Sequence, residues 1–384
     1  MIKKIAGMAS IITALAAIAV VGGCNKCCDA PLASSKDFKL GAGVNISHWL
    51  SQRDDGMPDP REFFTKEDVQ FIADQGFDHI RLPIEESIMW TESGDPDEVA
   101  FETLDMTLGW IKEAGLTAIV DLHIINSHHF NAENDGEADR NVLFTDPAAQ
   151  DHLTELWKEL SIRLKKWPES MLAYEVLNEA VADDHEDWNK LVAKCIASIR
   201  KDEATRVLVI GSNKWQGAWS MKFLKVPEDD PFIILSFHTY HPHAFTHYKA
   251  SWTGEYSSYT GPINYPGLLV SDEYIESMPD GHNKDFLKSQ QGPNNKESLR
   301  EHVMEAVVVA RELDLPLYCG EWGCMKTVDE QQMLQWYRDM SDVLKEEGVD
   351  HAIWDYKGHF GIRDRDTPNA EPFPELIKAI LDGN

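Results

Sequence analysis

From residue 41 onward the chain alternates short apolar runs, rich in β-branched residues, with longer stretches that have the periodicity of amphipathic helices. This alternation is typical of βα units, in which each helix carries the chain back to the start of the next parallel strand. Eight runs fit strands, over residues 41–47, 79–82, 117–122, 172–177, 207–211, 232–237, 317–320 and 351–354. An open, doubly wound sheet alternates in the same way, but eight repeats favour a closed barrel. The predicted fold class is therefore α/β, a single-domain (β/α)8 TIM barrel.

The segments between the runs carry signals that begin and end helices. Thr65 and Asp68 have the spacing of a capping box, which opens the first helix. Gly76, Gly115 and Gly348 each follow an amphipathic stretch and precede a strand by two or three residues, as expected of glycine at helix C-caps. Further helices are predicted over residues 101–114, 148–166, 187–201, 296–313, 329–347 and 374–381.

The first 23 residues differ from the rest of the chain. Lys3 and Lys4 precede an almost wholly apolar run over residues 5–21, which is followed by two glycines and Cys24. This order is that of a signal peptide, and the run is short for a membrane-spanning helix. The small residues before Cys24 resemble a bacterial lipoprotein box, in which the signal is cut before the cysteine and the new terminus is acylated. An ordinary secretory signal that contains a cysteine is the alternative.

We therefore predict a signal peptide over residues 1–23, a tether over residues 24–36 and a catalytic barrel over residues 37–384. On the lipoprotein interpretation the protein is extracytoplasmic and is held at a membrane through its N-terminal lipid only, with Cys24 as the lipidated residue.

Charge and cysteine content limit the partners. The chain has 65 acidic and 36 basic residues, for a net charge of −29, so its surface repels nucleic acid and anionic lipid head groups. Beyond Cys24 there are five cysteines, which give no even disulfide framework and no pair with zinc-ribbon spacing. No glycine-rich phosphate loop follows the first strand. We expect a monomer without nucleic-acid partner, metal or cofactor.

Polar and aromatic residues recur directly after the predicted strands. In a (β/α)8 barrel the active site is built from the carboxyl ends of the strands. Glu179 follows the fourth run and Glu321 the seventh, so two carboxylates could face each other across one bond, as glycoside hydrolysis requires. The other residues at strand ends include Asn45, His48, Arg81, His123, Asn178, His238, Tyr240 and Trp354.

Six segments in order, HIRLPI, VDLHI, YEVLNEA, SFHTYHP, YCGEWG and AIWDYKG, resemble the strand ends of glycoside hydrolase family 5, the cellulase family of the large clan of retaining barrels. The resemblance runs from about residue 41 to 381. It implies that Glu179 is the acid/base and Glu321 the nucleophile. One departure is Ala180, where the family usually has a proline that stiffens the turn. The family's supporting positions are filled by Arg81, His123, Asn178, His238, Tyr240 and Trp354.

These assignments are physically consistent with one another. A retaining enzyme needs its carboxyl groups roughly 5 to 5.5 Å apart, with one protonated and the other ionised. Arg81 and Tyr240 beside Glu321 would hold it ionised, and the like charge would then raise the pKa of Glu179. Asn178 suits the sugar 2-hydroxyl. Trp354 would offer a ring face under the sugar, and His123 and His238 would orient the reacting groups.

The connection after the sixth strand, over residues 239–295, is too long for a plain loop. It carries Tyr248, Trp252, Tyr256, Tyr259 and Tyr265. Aromatic rings stack on pyranose faces, so we predict that this insertion walls part of a substrate cleft. For any single ring, packing of the insertion onto the barrel is an equal alternative. The substrate-binding candidates are Asn45, His48, Trp49, His128, His129, Trp215, Trp252 and Trp354.

The predicted function is a retaining glycoside hydrolase that cuts β-linked glucan or a related neutral polysaccharide or oligosaccharide, first of all an endo-β-1,4-glucanase. A β-mannanase, a xyloglucanase and an exo-β-glucanase of the same family remain open. Another class is a surface glycan-binding lipoprotein without turnover. The weakest alternative is a metal-dependent barrel hydrolase, since histidines on one loop are poor evidence for a metal site; these histidines are His128, His129, His238, His241, His243 and His247.

Overall fold

The computed structural model describes residues 31–132, 140–363 and 371–383. The predicted signal peptide and Cys24 lie outside the described residues. Within the described ranges no helix combines the length and the apolar character needed to cross a membrane.

Eight parallel strands close into a barrel in chain order, each hydrogen-bonded to the next and the last to the first. This confirms the predicted (β/α)8 fold. The strands are β1 Ala42–Asn45, β2 His79–Glu85, β3 Thr117–Ile124, β4 Leu172–Glu175, β5 Leu208–Gly211, β6 Ile233–Thr239, β7 Leu317–Trp322 and β8 Asp350–Ile353.

The main differences from the predicted boundaries lie at the carboxyl ends of the strands. β2, β3, β6 and β7 are longer than predicted because their polar end residues stay in the ladder, so that His123, His238 and Glu321 are strand residues. β4 is shorter, because the chain leaves the ladder after Glu175 and before Asn178. The end of β4 therefore needs support from outside the sheet.

Helices surround the barrel and bear out the predicted signals. Thr65 and Asp68 form the capping box, and Gly76, Gly115 and Gly348 end their helices in the left-handed conformation. The connection from β5 to β6 has the irregular turn Asn213–Gln216 and the short 3-10 helix Ala218–Phe223 in place of a long helix. The principal helices are Lys66–Gln75, Glu98–Ala114, Pro147–Leu164, His185–Ile199, Lys296–Leu313, Glu330–Glu347 and Pro374–Asp382, with shorter ones at Pro60–Phe63 and Glu86–Met89.

The segment before β1 closes the amino end of the barrel. Phe38 and Leu40 pack in a buried cluster with residues from the first half of the strands, among them Ile119 and Tyr318. Ser35 is 1% exposed, and its backbone N–H and hydroxyl donate to Pro231 and Ile233. The prediction that the tether extends to residue 36 is therefore wrong at its end, because the chain is already fixed to the barrel at Ser35.

The insertion after β6 forms a compact layer of short helices over one side of the barrel. Four of the five aromatic residues named above as cleft candidates are buried, so the packing alternative holds for them, although Tyr256 also lines the cleft. The tyrosine hydroxyls illustrate this, since Tyr256 donates to the carbonyl of Ala244 at 2.6 Å and Tyr265 to Asp339 at 2.8 Å. The helices of the layer are His243–Thr246, Gly254–Ser258, Asp272–Ser277 and His282–Ser289, and its buried tyrosines are Tyr248, Tyr256, Tyr259 and Tyr265.

Candidate active site

A cleft of about 1120 Å³ opens at the carboxyl ends of the strands. Side chains from β2, β3, β6 and β7, and from the loops that follow strands, line it together with the insertion. Glu179 and Glu321 both face this cleft, as the sequence predicts.

Glu321 lies on β7, where the strand pairing is irregular. The register with β6 shifts so that His238 pairs with Glu321, and Gly320 is left between Cys319 and Glu321. Bulges of this kind re-aim a side chain at the rim of a barrel. A Cβ on Gly320 would lie 2.8 Å from His238 Nε2, so glycine is required for the imidazole to approach β7.

Positive charge and hydrogen bonds hold the carboxylate of Glu321. Arg81 Nη1 donates to Glu321 Oε1 at 2.9 Å, and the Tyr240 hydroxyl donates to Oε2 at 2.9 Å. Arg81 is fully buried and is fixed in turn by Glu175 at 2.7 Å and Asp121 at 3.0 Å. The guanidinium therefore has no freedom to turn away from Glu321.

Glu179 lies in the loop after β4 and is surrounded differently. Its Oε1 is 2.9 Å from His238 Nδ1. Burial lowers the pKa of His238 well below its ordinary value, so the imidazole is neutral beside the carboxyl group. The backbone φ of Glu179 is 45°, and the backbone N–H of Glu179 donates to the side-chain oxygen of Gln216 at 2.8 Å.

Burial governs the protonation of both glutamates. It raises the pKa of Glu179 well above its usual range, and the charge of Glu321 adds to the effect. Burial also raises the pKa of Glu321, but Arg81 and the Tyr240 hydrogen bond oppose the increase. Glu179 is thus the group that keeps its proton. The assignment of the proton to Glu179 agrees with the prediction. The principal cause of the raised pKa of Glu179 is burial, and the like charge of Glu321 comes second.

The spacing of the two carboxyl groups fits one stereochemical outcome. A carboxylate oxygen of Glu179, one of Glu321 and a ring nitrogen of His238 all lie within 4.8 Å of one another. Inverting glycosidases hold their carboxyl groups roughly 6.5 to 9.5 Å apart to admit a water, whereas retaining enzymes hold them at about 5 to 5.5 Å. The site therefore has the geometry of a retaining enzyme.

Three buried polar atoms beside the glutamates have no hydrogen-bond partner within the described part of the chain: Asn178 Nδ2, His123 Nε2 and His238 Nε2. Asn178 is fixed through its oxygen by Arg81 at 2.8 Å. His123 is fixed through Nδ1 by Asp121 at 2.6 Å, and burial lowers the pKa of its imidazole to about 3. Asn178 and His123 are thus each held at one end with an unpaired polar atom at the other, as hydroxyl recognition requires, whereas His238 Nε2 lies against Gly320 of β7.

Trp354 lines the cleft next to His123. The two rings are stacked, with centroids 5.5 Å apart and planes inclined by 8°. Five of the predicted substrate-binding residues line the cleft: His48, His129, Trp215, Trp252 and Trp354.

Three predicted substrate-binding residues are contradicted by the structure. Trp49 is 0% exposed and packs against Phe64, so its ring belongs to the core. His128 is also fully buried, against Phe144. Asn45 is buried beneath the site, where it accepts from Arg81 at 2.8 Å and donates to two backbone carbonyls. It positions Arg81 and does not face the cleft.

Sequence analysis missed several residues of the site. Asp121 and Glu175 are carboxylates inside apolar runs, and a charge on a buried strand signals a buried partner, here Arg81. Trp219 and Asp355 line the cleft, and their positions next to Trp215 and Trp354 could have identified them. Gln216 carried no such signal.

The loop histidines do not assemble a metal site among the residues that the structure describes. His241 stacks on His302, and His243 stacks on His247. The one described group whose side chains could converge on an ion is Glu179, His238 and Glu321. Of the six histidines from which the metal-dependent alternative was inferred, His238 alone belongs to this described group.

Comparison with known proteins points to one family. A family model described as cellulase (glycosyl hydrolase family 5) matches residues 42–360. Endoglucanase C of Acetivibrio thermocellus is 32% identical over 321 residues, which are 82% of this chain and 91% of that protein. Cellodextrinase A of Ruminococcus flavefaciens is 27% identical over 308 residues, 80% of this chain and 82% of that protein.

Solved structures agree with the fold. An endoglucanase matches with a TM-score of 0.70 and 25% identity, over 91% of this chain and 98% of that one. Thermotoga maritima Cel5A in complex with cellobiose matches with a TM-score of 0.70 and 23% identity, over 90% of this chain and 97% of that one. At the latter identity the likeness bears on the fold alone.

Proposed function

This chain belongs to glycosyl hydrolase family 5, and we propose that it is a retaining endo-β-1,4-glucanase with Glu321 as nucleophile and Glu179 as acid/base. The observation that carries the proposal is the pair of carboxyl groups, whose oxygens lie within 4.8 Å and whose surroundings differ in charge. The name and the high coverage of Endoglucanase C support glucan as the substrate.

The reaction proceeds in two displacements. In the first, a Glu321 oxygen attacks the anomeric carbon, the glycosidic C–O bond breaks, and Glu179 gives its proton to the leaving oxygen. A covalent glycosyl-enzyme results. In the second, Glu179, now a carboxylate, takes a proton from water, and the water oxygen displaces Glu321 from the anomeric carbon. The sugar keeps its β configuration.

The supporting residues act on the charge that develops in each step. Arg81 and Tyr240 keep Glu321 ionised for attack and receive it again when it leaves. The free Nδ2 of Asn178 is the donor for the sugar 2-hydroxyl, a contact that strengthens at the oxocarbenium-like transition state. Trp354 supports the apolar face of the same sugar.

The test is hydrolysis of a panel of neutral polysaccharides: hydroxyethylcellulose, mixed-linkage β-glucan, glucomannan, xyloglucan and laminarin, with Glu321→Ala as the matched inactive control. We expect hydroxyethylcellulose to lose viscosity faster than reducing ends accumulate, which indicates internal cleavage. The first product seen by proton NMR should be the β-anomer. Release of a single short product from the outset would favour exo attack, and binding without cleavage would favour the glycan-binding alternative.

We also propose that the protein is an extracytoplasmic lipoprotein anchored through Cys24 and acting as a monomer. The support is the order of the first 24 residues, in which a basic start, an apolar run and small residues precede the cysteine. Labelled palmitate should be incorporated by the wild type and not by Cys24→Ala expressed in a bacterial host, and the variant should leave the membrane fraction. Labelling of both proteins would contradict the assignment.

A further inference from the structure

The residues after β5 adopt an unusual backbone. Lys214, Trp215 and Gln216 have φ of 56°, 58° and 50°, so three consecutive residues with side chains are left-handed. This conformation is sterically unfavourable for every residue except glycine and persists only where the surroundings fix it. We call the segment Asn213–Gln216 the β5 clasp, because of what it holds.

The β5 clasp binds the backbone of the loop that carries Glu179. Gln216 Oε1 accepts from the N–H of Glu179 at 2.8 Å, and the N–H of Trp215 donates to the carbonyl of Ala180 at 3.1 Å. The side-chain amide of Asn213 accepts from the N–H of Ala182 at 2.9 Å and donates to its carbonyl at 2.8 Å. Four hydrogen bonds thus fix three of the four residues from 179 to 182.

The loop has little other support from the barrel on this side. β4 pairs with β5 only through Tyr174 and Glu175, and the ladder ends there. Glu179 is itself left-handed, with a φ of 45°. Asn178 is still tied to β3, where its N–H donates to the carbonyl of Leu122 at 3.1 Å. Beyond Asn178 the clasp supplies four hydrogen bonds to the backbone that carries Glu179.

The same clasp is joined to the nucleophile. Gln216 Nε2 donates to Glu175 Oε1 at 3.1 Å, and the other oxygen of Glu175 accepts from Arg81 at 2.7 Å. Arg81 in turn contacts Glu321. One side chain therefore connects the backbone of the acid/base to the ion pair of the nucleophile. Its path needs Gly211, where a Cβ would lie 2.4 Å from the Gln216 amide carbon.

We propose that Gln216 and Asn213 are positioning residues that fix the carboxyl group of Glu179 at its distance from Glu321 and from the leaving oxygen. Neither carries charge, so they hold the loop without favouring the ionised form of Glu179. Loss of the clasp lets the carboxyl group drift from the glycosidic oxygen, and proton donation fails before binding or nucleophilic attack does. The inference rests on the proposed role of Glu179 as the acid.

The test uses two substrates that differ in their need for an acid. Cellotetraose has a sugar leaving group that must be protonated, whereas dinitrophenyl β-cellobioside has one that leaves unaided. For Gln216→Ala and Asn213→Ala we expect kcat/KM to fall about 10- to 100-fold on cellotetraose and less than about 3-fold on the dinitrophenyl substrate. The alkaline limb of the cellotetraose pH profile should move to lower pH, since a Glu179 farther from Glu321 loses part of its raised pKa.

Asn189→Ala is the matched control. Asn189 also uses its side-chain amide to fix a loop, donating to Phe223 and accepting from Lys225, both at 3.0 Å, but it makes no contact with the Glu179 loop. It should lower thermal stability without changing the ratio of the two substrates. Asn213→Asp keeps the acceptor for the N–H of Ala182 but loses the donor to its carbonyl, so it should recover only part of the cellotetraose activity.

Rates are expressed per active site, counted by the burst of dinitrophenol from a slowly turned-over 2-fluoro cellobioside, so that partly unfolded variants remain informative. An equal loss on both substrates, or an altered ratio in Asn189→Ala, would overturn the inference. If the wild-type enzyme cuts neither substrate, the proposed function fails instead. If it cuts both and the clasp variants keep its substrate ratio, the positioning role alone is wrong.

Discussion

The two carboxyl groups at the centre of the cleft are held in opposite ways. Glu321 is gripped through its side chain, with Arg81 on one oxygen and Tyr240 on the other. Glu179 is held through its backbone by neutral amides, and its carboxyl group contacts only a neutral imidazole among the partners described here. A group that must stay charged is surrounded by donors, whereas a group that must carry a proton is positioned without them. The difference in support is what separates two otherwise identical side chains.

The largest expected loss of activity comes from removing Glu321, the glutamate that is held ionised. Glu321→Ala removes the nucleophile, and kcat/KM should fall by about 10⁴-fold or more on every substrate, activated or not. Steady-state rates on hydroxyethylcellulose and dinitrophenyl β-cellobioside measure this, with circular dichroism to establish that the variant is folded. Near wild-type turnover on either substrate would show that Glu321 is not the nucleophile.

The second prediction tests Glu179, the glutamate that carries a proton. Glu179→Gln cannot donate a proton, so kcat/KM on cellotetraose should fall by about 10²- to 10⁴-fold, while kcat/KM on dinitrophenyl β-cellobioside changes far less. Added azide should restore turnover of the activated substrate and give a β-glycosyl azide, because the small anion replaces the water that Glu179 no longer activates. Losses of equal size on the two substrates would remove the distinction between the two glutamates.

The third prediction concerns the hydrogen bond that helps keep Glu321 ionised. Tyr240→Phe removes a donor that lowers the pKa of Glu321, so that pKa should rise further in the variant. The ionised form is needed for attack, and the acid limb of the kcat/KM profile should therefore move to higher pH. The alkaline limb, which reports Glu179, should move less. A shift of the acid limb to lower pH would contradict the proposed support.

The smallest expected effect concerns substrate binding on the side of Glu179. Trp215 is 44% exposed on the β5 clasp, and its backbone N–H donates to the carbonyl of Ala180 next to Glu179, so we expect its ring on the side of the leaving group. Trp215→Ala should cost about 1 kcal/mol of binding, or about fivefold in kcat/KM, on substrates with a long chain on that side, and nothing on dinitrophenyl β-cellobioside.

Trp49→Ala is the control for this prediction. Because its ring is buried in the core, the variant should lose about 3 to 5 kcal/mol of stability, with no change in the dependence of rate on chain length. A chain-length effect in Trp49→Ala, or none in Trp215→Ala, would show that the two aromatic residues have been assigned to the wrong places.

Most of the barrel and the reacting pair were predictable from the sequence, because both depend on local pattern. Strands buried on both faces are continuous apolar runs, and a barrel brings the residues at their carboxyl ends together. Position at a strand end does not determine direction, however. Asn45, Trp49 and His128 lie near strand ends and still point beneath the cleft or into the core, because only packing decides which side of the rim a side chain occupies.

The β5 clasp was not predictable for a different reason. Lysine, tryptophan and glutamine rarely adopt the left-handed conformation, so the residues 214–216 carry no signal for such a turn. Its contacts join residues that are 31 to 41 positions apart, such as Asn213 with Ala182 and Gln216 with Glu175. The dominance of burial in the pKa of Glu179 was hidden in the same way, since depth is a property of the folded chain.

Phe38 and Leu40, which close the amino end of the barrel, bear on how the enzyme can reach insoluble polymer. The chain enters at the amino end of the strands, opposite the cleft. With the proposed lipid on Cys24, the membrane would lie beneath the sealed end, and the catalytic mouth would face outward across the full height of the barrel. The short tether would then restrict digestion to polymer that reaches the cell, and the sugars would be released close to the membrane.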